Sequence, residues 1–135
     1  MTDDARPDDD RPAGKLPVRL DQMFDLARAG TDLLLEFVDA GVPADHADAH
    51  GNTLLMLAAY HGHAGLVRGL AERGADVDRV NARGQSPLAG AVFKGSDDVV
   101  AALLAAGADP DAGSPSARDT AQMFGRALPE APAGA

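Results

Sequence analysis

Residues 50–63 read HGNTLLMLAAYHGH, and this stretch decides the fold. Thr53 stands where a helix N-cap is favoured, because its hydroxyl can accept a hydrogen bond from a backbone N–H of the first turn. Leu55 and Ala59 lie four residues apart, as expected for one face of an amphipathic helix. Gly62 follows where a left-handed residue commonly ends a helix. The stretch predicts a short helix closed by a tight turn.

The same pattern returns 33 residues later. Ser86 takes the place of Thr53, and Pro87 occupies the favoured first position of a helix. A second apolar stripe follows each turn, which predicts a second helix in each unit. The glycines that recur in register are Gly51, Gly62 and Gly74, and then Gly84, Gly95 and Gly107. The predicted unit is a helix, a tight turn, a second helix and a loop rich in Asp, Asn and Gly.

A 33-residue unit with this order resembles the ankyrin repeat, in the manner of small stand-alone bacterial proteins. Residues 53–59 (TLLMLAA) and 86–91 (SPLAGA) match the T-P-L-H-x-A pattern of that family. The segments GADVD at 74–78 and GADPD at 107–111 also look like the family. The resemblance implies an all-α solenoid of stacked helix-turn-helix units with short β-hairpin or finger loops.

The resemblance extends on both sides of the two clear units. Residues 20–45 look like an N-terminal repeat, and residues 116–125 look like a final first helix after a three-residue deletion. About three repeats and a C-terminal cap are therefore expected, over a domain spanning residues 16–128. The apolar core predicted for the N-terminal repeat consists of Phe24, Leu26, Leu33, Leu34, Phe37 and Val38.

The two ends of the chain differ from this domain. Residues 1–15 carry five aspartates and little apolar surface, and residues 129–135 are similarly poor in large apolar side chains. Such segments bury too little surface to offset the entropy of ordering, so both are expected to be disordered tails. The acidic run is interpreted as a solvated tail, although it could instead bind a basic partner.

Composition narrows the classes of function. The net charge of −9 argues against binding to nucleic acid or to anionic membranes, which require a basic face. The absence of cysteine excludes disulfides and thiolate metal sites. No secretory signal and no membrane span is evident in the sequence. We expect a cytoplasmic, monomeric protein that binds neither nucleic acid nor membrane.

The histidines raise the question of a metal or catalytic site. His63 matches a family position where histidine is common, and its expected role is to hydrogen-bond and pack at the helix junction. His46 and His50 have i, i+4 spacing, which would allow adventitious nickel or zinc binding. No His-Glu-x-x-His motif accompanies them. We expect no catalytic residue, no metal site and no cofactor, and therefore no enzymatic activity.

Two departures from the family pattern bear on stability. Met56 and Ala89 stand where the motif has histidine, so the hydrogen bonds of that histidine are missing and Met56 is expected to fill space instead. Gly90 lies in the middle of a predicted helix, where glycine costs about 1 kcal/mol relative to alanine. Replacing Gly90 by alanine is expected to raise the melting temperature.

The resemblance implies partner binding through the tips of the finger loops and the exposed side of the first helices. Tyr60-His61 at the end of one first helix recurs as Phe93-Lys94, and aromatic residues with basic neighbours are frequent binding hot spots. The alternative is structural: Phe93 would cover the gap beside Gly90, and Tyr60 would pack on its neighbour. The predicted partner-binding residues are His50, Asn52, Tyr60, His61, Arg83, Gln85, Phe93 and Lys94.

The leading hypothesis for function is a non-catalytic module that binds an unidentified protein partner. A second hypothesis is an accessory, inhibitory or assembly subunit of one specific enzyme. A third is a metal-dependent protein that uses the histidine cluster. Affinity capture would separate the first two, and metal analysis would test the third.

Overall fold

A computed structural model describes residues 20–128, which form seven α-helices. The tails expected at residues 1–15 and 129–135 lie outside these residues. The helices are α1 Gln22–Ala29, α2 Leu33–Asp39, α3 Leu54–Tyr60, α4 Ala64–Glu72, α5 Pro87–Lys94, α6 Asp97–Ala105 and α7 Ala117–Met123.

The helices stack in two layers. Helices α1, α3, α5 and α7 pack side by side as the first helices of successive units, and α2, α4 and α6 form the layer of second helices. Each of the pairs α1–α2, α3–α4 and α5–α6 packs as one helix-turn-helix unit, and α7 adds the final first helix. The all-α repeat solenoid predicted from the 33-residue period is therefore confirmed.

Three first helices begin with the same hydrogen bond. The hydroxyl oxygens of Thr53, Ser86 and Ser116 each accept from the backbone N–H three residues later, at 3.1 Å. All three side chains are buried, so each cap satisfies an N–H that water does not reach. The two N-caps predicted from the sequence are confirmed, and the third fixes the start of α7.

The residue that follows a turn reaches back to the preceding unit. Nε2 of His63 lies 2.7 Å from the carbonyl oxygen of Arg28 at the end of α1. Because a carbonyl oxygen only accepts, Nε2 carries the proton. Gly30, with φ of 75°, has no Cβ where the ring of His63 lies. The junction role expected for His63 is confirmed. Arg126 repeats it at the cap, donating from Nη1 to the carbonyl of Val92 at 3.0 Å.

The core of the N-terminal repeat differs from the prediction at Leu33, which was included in it, and at Met23 and Ala27, which were left out. Leu33 is 44% exposed, because α2 begins at this residue and the adjacent Leu34 takes the buried place. Met23 and Ala27 of α1 are fully buried, although the predicted core omitted them. The remaining predicted side chains are buried or packed against the core.

The loops between units are held by aspartates. The carboxylate of Asp45 accepts from the backbone N–H of Asp76, and that of Asp78 accepts from the N–H of Asp109, each at 2.7 Å. Each carboxylate thus links one repeat to the next. In residues 20–128 the finger loops carry isolated β-bridges, such as Ala47 with Thr53, rather than strands.

Candidate partner-binding surface

A hollow of about 260 Å³ lies between the finger loops and the first helices. Its floor includes Met56 and Tyr60, and its rim is polar. Five of the eight residues predicted to bind a partner line this hollow, so the fold brings them together across two repeats. The lining residues are His50, Asn52, Met56, Leu57, Tyr60, Asn81, Ala82, Arg83 and Gln85.

The polar rim is fixed by Asn81. Its amide nitrogen donates to Oδ1 of Asn52 at 2.8 Å and to Oε1 of Gln85 at 3.0 Å. Its own Oδ1 accepts from the backbone N–H groups of Arg83 and Gln85. Asn52 thus links its finger to the next one, and Gln85 is held within the finger of Asn81, whereas the side chain of Arg83 is exposed. Sequence reasoning missed Asn81, although it lies 33 residues after Asp48.

Asp48 does in its finger what Asn81 does in the next. Its carboxylate accepts from the backbone N–H of His50 at 2.8 Å and of Asn52 at 3.0 Å. Burial, which acts to raise the pKa of Asp48, is outweighed by these hydrogen bonds, so its pKa lies below the ordinary value of 3.8. The finger that presents His50 is therefore held by an ionised carboxylate.

The residues at the ends of α3 and α5 also meet. Nζ of Lys94 lies 4.9 Å from the centroid of the Tyr60 ring, within the range of a cation–π contact. The ring of His61 meets that of Tyr60 edge-on, with centroids 5.7 Å apart. Tyr60, His61 and Lys94 are thus in contact, and Phe93, the fourth residue predicted at these helix ends, is 51% exposed beside Lys94.

Phe124 extends this surface onto the C-terminal cap. Its ring meets that of Phe93 edge-on, with centroids 5.6 Å apart, yet it remains 48% exposed. The guanidinium of Arg126 lies 5.8 Å from the centroid of Phe124. Tyr60, Phe93 and Phe124, here called the aromatic row, therefore follow three successive first helices. Phe124 is not among the residues predicted to bind a partner, because it does not fall on the 33-residue spacing of Tyr60 and Phe93.

The structural alternative for the aromatic residues holds only for Tyr60. A Cβ at Gly90 would lie 3.5 Å from Cδ1 of Tyr60 and 3.4 Å from Cε of Met56, so these two side chains fill the space beside Gly90. Phe93 is not among the neighbours of that space and does not cover it. Its exposure is therefore not explained by the missing side chain of Gly90.

The imidazole of His61 is surrounded by positive charge. Partial burial lowers the pKa of His61 below the ordinary value of 6.5, and the charges of His63, Arg28 and Lys94 lower it further. His61 is consequently neutral at pH 7. Arg28 is balanced by Asp25 at 3.1 Å.

The first residue of the pair weighed for adventitious metal binding, His46 with His50, has an aromatic neighbour. Both residues lie in a loop, and the ring of His46 stacks on Phe24 with centroids 4.8 Å apart. Throughout residues 20–128, no three side chains of His, Asp or Glu come together as metal ligands would. Nor does any helix of this region have the length and apolarity needed to cross a membrane.

Comparison with known proteins agrees with the architecture. A sequence-family profile described as ankyrin repeats, in three copies, matches residues 23–114. A Pseudomonas aeruginosa protein named as an ankyrin repeat protein is 44% identical over 69 residues. The aligned region covers 50% of this chain and 39% of that relative, so the chain matches about two fifths of the relative's length.

Proposed function

Because the chain belongs to the ankyrin repeat family, whose repeats are generally protein–protein interaction modules, we propose that it binds a partner protein through the hollow and the aromatic row. The protein acts in this role without a catalytic step. The predicted residues divide into two groups. Tyr60, His61, Phe93 and Lys94 contact the partner from the first helices, and His50 and Arg83 contact it from the fingers, where Asn52 and Gln85 hold the loops in position.

The exposure of Phe93 and Phe124, two of the three residues of the aromatic row, is the observation that carries this proposal. Six large apolar side chains are exposed in residues 20–128, and three of them, Phe93, Met123 and Phe124, lie at the same end of neighbouring first helices. Contiguous exposed apolar surface in a soluble fold commonly marks an interaction site. Lys94 and Arg126 border this surface, and aromatic residues beside cations are typical of binding hot spots.

The test is affinity capture from a lysate of the cell that produces the protein. The Tyr60→Ala, Phe93→Ala double variant is expected to lose the partner that the unaltered chain retains, while its circular dichroism stays the same. The matched control replaces Leu33 and Val80 by alanine, because both are exposed apolar residues away from the aromatic row. Equal capture by the two double variants would overturn the proposal.

Identification of the captured protein by mass spectrometry also decides the narrower role. An enzyme whose turnover changes when this chain is added would make it an accessory or inhibitory subunit. A captured protein without such an effect would place the chain among scaffolding or assembly factors.

A further inference from the structure

We propose that the partner segment is acidic and carries an apolar side chain, with its carboxylates at Arg83, Lys94 and Arg126. This inference rests on the proposed function and specifies its ligand. The chain as a whole has a net charge of −9. Cations among residues 20–128 that form no ion pair and border the hollow or the aromatic row therefore point to the charge of the partner.

The cations of this surface lack carboxylate partners. Within the region from residue 20 to residue 128, ion pairs join Arg28 with Asp25, Arg73 with Asp39 and Arg118 with Asp111. The five remaining cations are Arg68, Arg79, Arg83, Lys94 and Arg126, of which the last three border the hollow or the aromatic row.

Two of these cations are held in place by aromatic rings. Lys94 lies over Tyr60, and Arg126 lies over Phe124 while one of its nitrogens donates to the carbonyl of Val92. A ring occupies one side of each cation and leaves other N–H donors free. A carboxylate there would complete a charge-assisted hydrogen bond without the entropy loss of ordering a free side chain.

The apolar requirement follows from the hollow. Met56, Leu57 and Tyr60 line it, and its volume of about 260 Å³ accommodates one side chain the size of leucine or larger. Arg83 lies on the same hollow, so an apolar residue seated there would bring a neighbouring carboxylate next to the guanidinium. A short segment with two or three carboxylates fits better than a long polyanion, because the negative charge of the chain repels an extended anion.

The experiment selects a phage-displayed library of random dodecapeptides against the immobilised full chain. Enriched peptides are expected to have a net negative charge and at least one large apolar residue. Their affinity should fall about tenfold on the Arg83→Glu, Lys94→Glu variant. The matched control is Arg68→Glu, Arg79→Glu, which changes the net charge equally but alters cations away from this surface. It should retain nearly the original affinity.

The outcomes separate this inference from the proposed function. The inference that the ligand is acidic would be overturned if the enriched peptides were neutral or basic, or if no peptide were enriched. It would also be overturned if acidic peptides bound the two charge-reversed variants with equal affinity. If neutral peptides were enriched and lost binding to the Tyr60→Ala, Phe93→Ala variant, only the inference on charge would fail. Peptides indifferent to all these substitutions would count against both proposals.

Discussion

The replacement of Gly90 by alanine tests how closely α3 and α5 pack. Gly90 lies inside α5, and its backbone is not in the left-handed region, so an alanine adopts the same conformation without strain. The added Cβ would meet Cε of Met56 at 3.4 Å and Cδ1 of Tyr60 at 3.5 Å, which are ordinary van der Waals distances. The methyl group therefore fits between the two helices.

Two contributions set the magnitude. Alanine is favoured over glycine in a helix interior by about 1 kcal/mol. Burial of the methyl group adds up to about 0.8 kcal/mol. The free energy of unfolding should thus rise by about 1–2 kcal/mol, which corresponds to an increase in Tm of roughly 4–8 °C for a domain of this size. Thermal and urea unfolding followed by circular dichroism measure both quantities.

Gly69 provides the matched comparison in α4. Its replacement by alanine gives the same gain in helix propensity, but the new Cβ would lie 2.5 Å from Cδ1 of Leu35. Leu35 must change its conformation, so we expect less than half the gain seen at Gly90. A fall in Tm for Gly90→Ala would show that α3 and α5 require the absence of a side chain there. Equal gains at both sites would refute the reasoning from packing distances.

Three further predictions concern single contacts. His63→Ala removes the hydrogen bond to the carbonyl of Arg28 and should lower the free energy of unfolding by about 1 kcal/mol in urea denaturation; an unchanged midpoint would contradict this role. The pKa of Asp48 is lowered, so the ionised carboxylate stabilises the folded state fully above pH 3.8, and this stabilisation is lost as the pH falls below that value. In Asp48→Asn the amide oxygen still accepts both hydrogen bonds. The free energy of unfolding of this variant should therefore depend less on pH between about pH 5 and pH 3. Lys94→Glu removes a positive neighbour and should raise the pKa of His61 in an NMR titration; no change would mean that the charge of Lys94 does not act on the imidazole.

The helices that could be predicted from the sequence are those whose N-cap residues and glycines recur at the 33-residue spacing. A hydroxyl N-cap fixes the start of α3 and of α5, and a glycine turn fixes the end of each. The apolar residues between these points can therefore be assigned to only one buried face. The N-terminal repeat carries fewer of these marks: Gly30 ends α1 in the left-handed conformation, but Asp32 precedes α2 without a side-chain cap bond. The apolar run from Leu33 to Leu35 then allows several phases, which explains why Leu33 was wrongly placed in the core.

The candidate site was predictable to the extent that it is periodic. Tyr60 and Phe93 follow from the 33-residue spacing alone. The pairing of Phe93 with Phe124 depends on how the three-residue deletion before α7 is absorbed, which is a matter of loop geometry. The side chain of Asn81 donates a hydrogen bond to Asn52 in the neighbouring finger. Sequence spacing does not show which polar side chains of two fingers form such a bond.

The exposed side chains of the C-terminal cap are charged at some positions and apolar at others, and this distribution bears on the role of the apolar ones. The end of a solenoid needs a polar outer face, and α7 supplies one with Arg118, which pairs with Asp111, and with the exposed Asp119. If exposed Met123 and Phe124 merely reflected a missing next repeat, apolar side chains would lie on that outer face as well. They lie instead at the end of α7 that continues the aromatic row, where Phe124 meets Phe93. The exposed apolar side chains of α7 therefore adjoin the surface proposed to bind a partner.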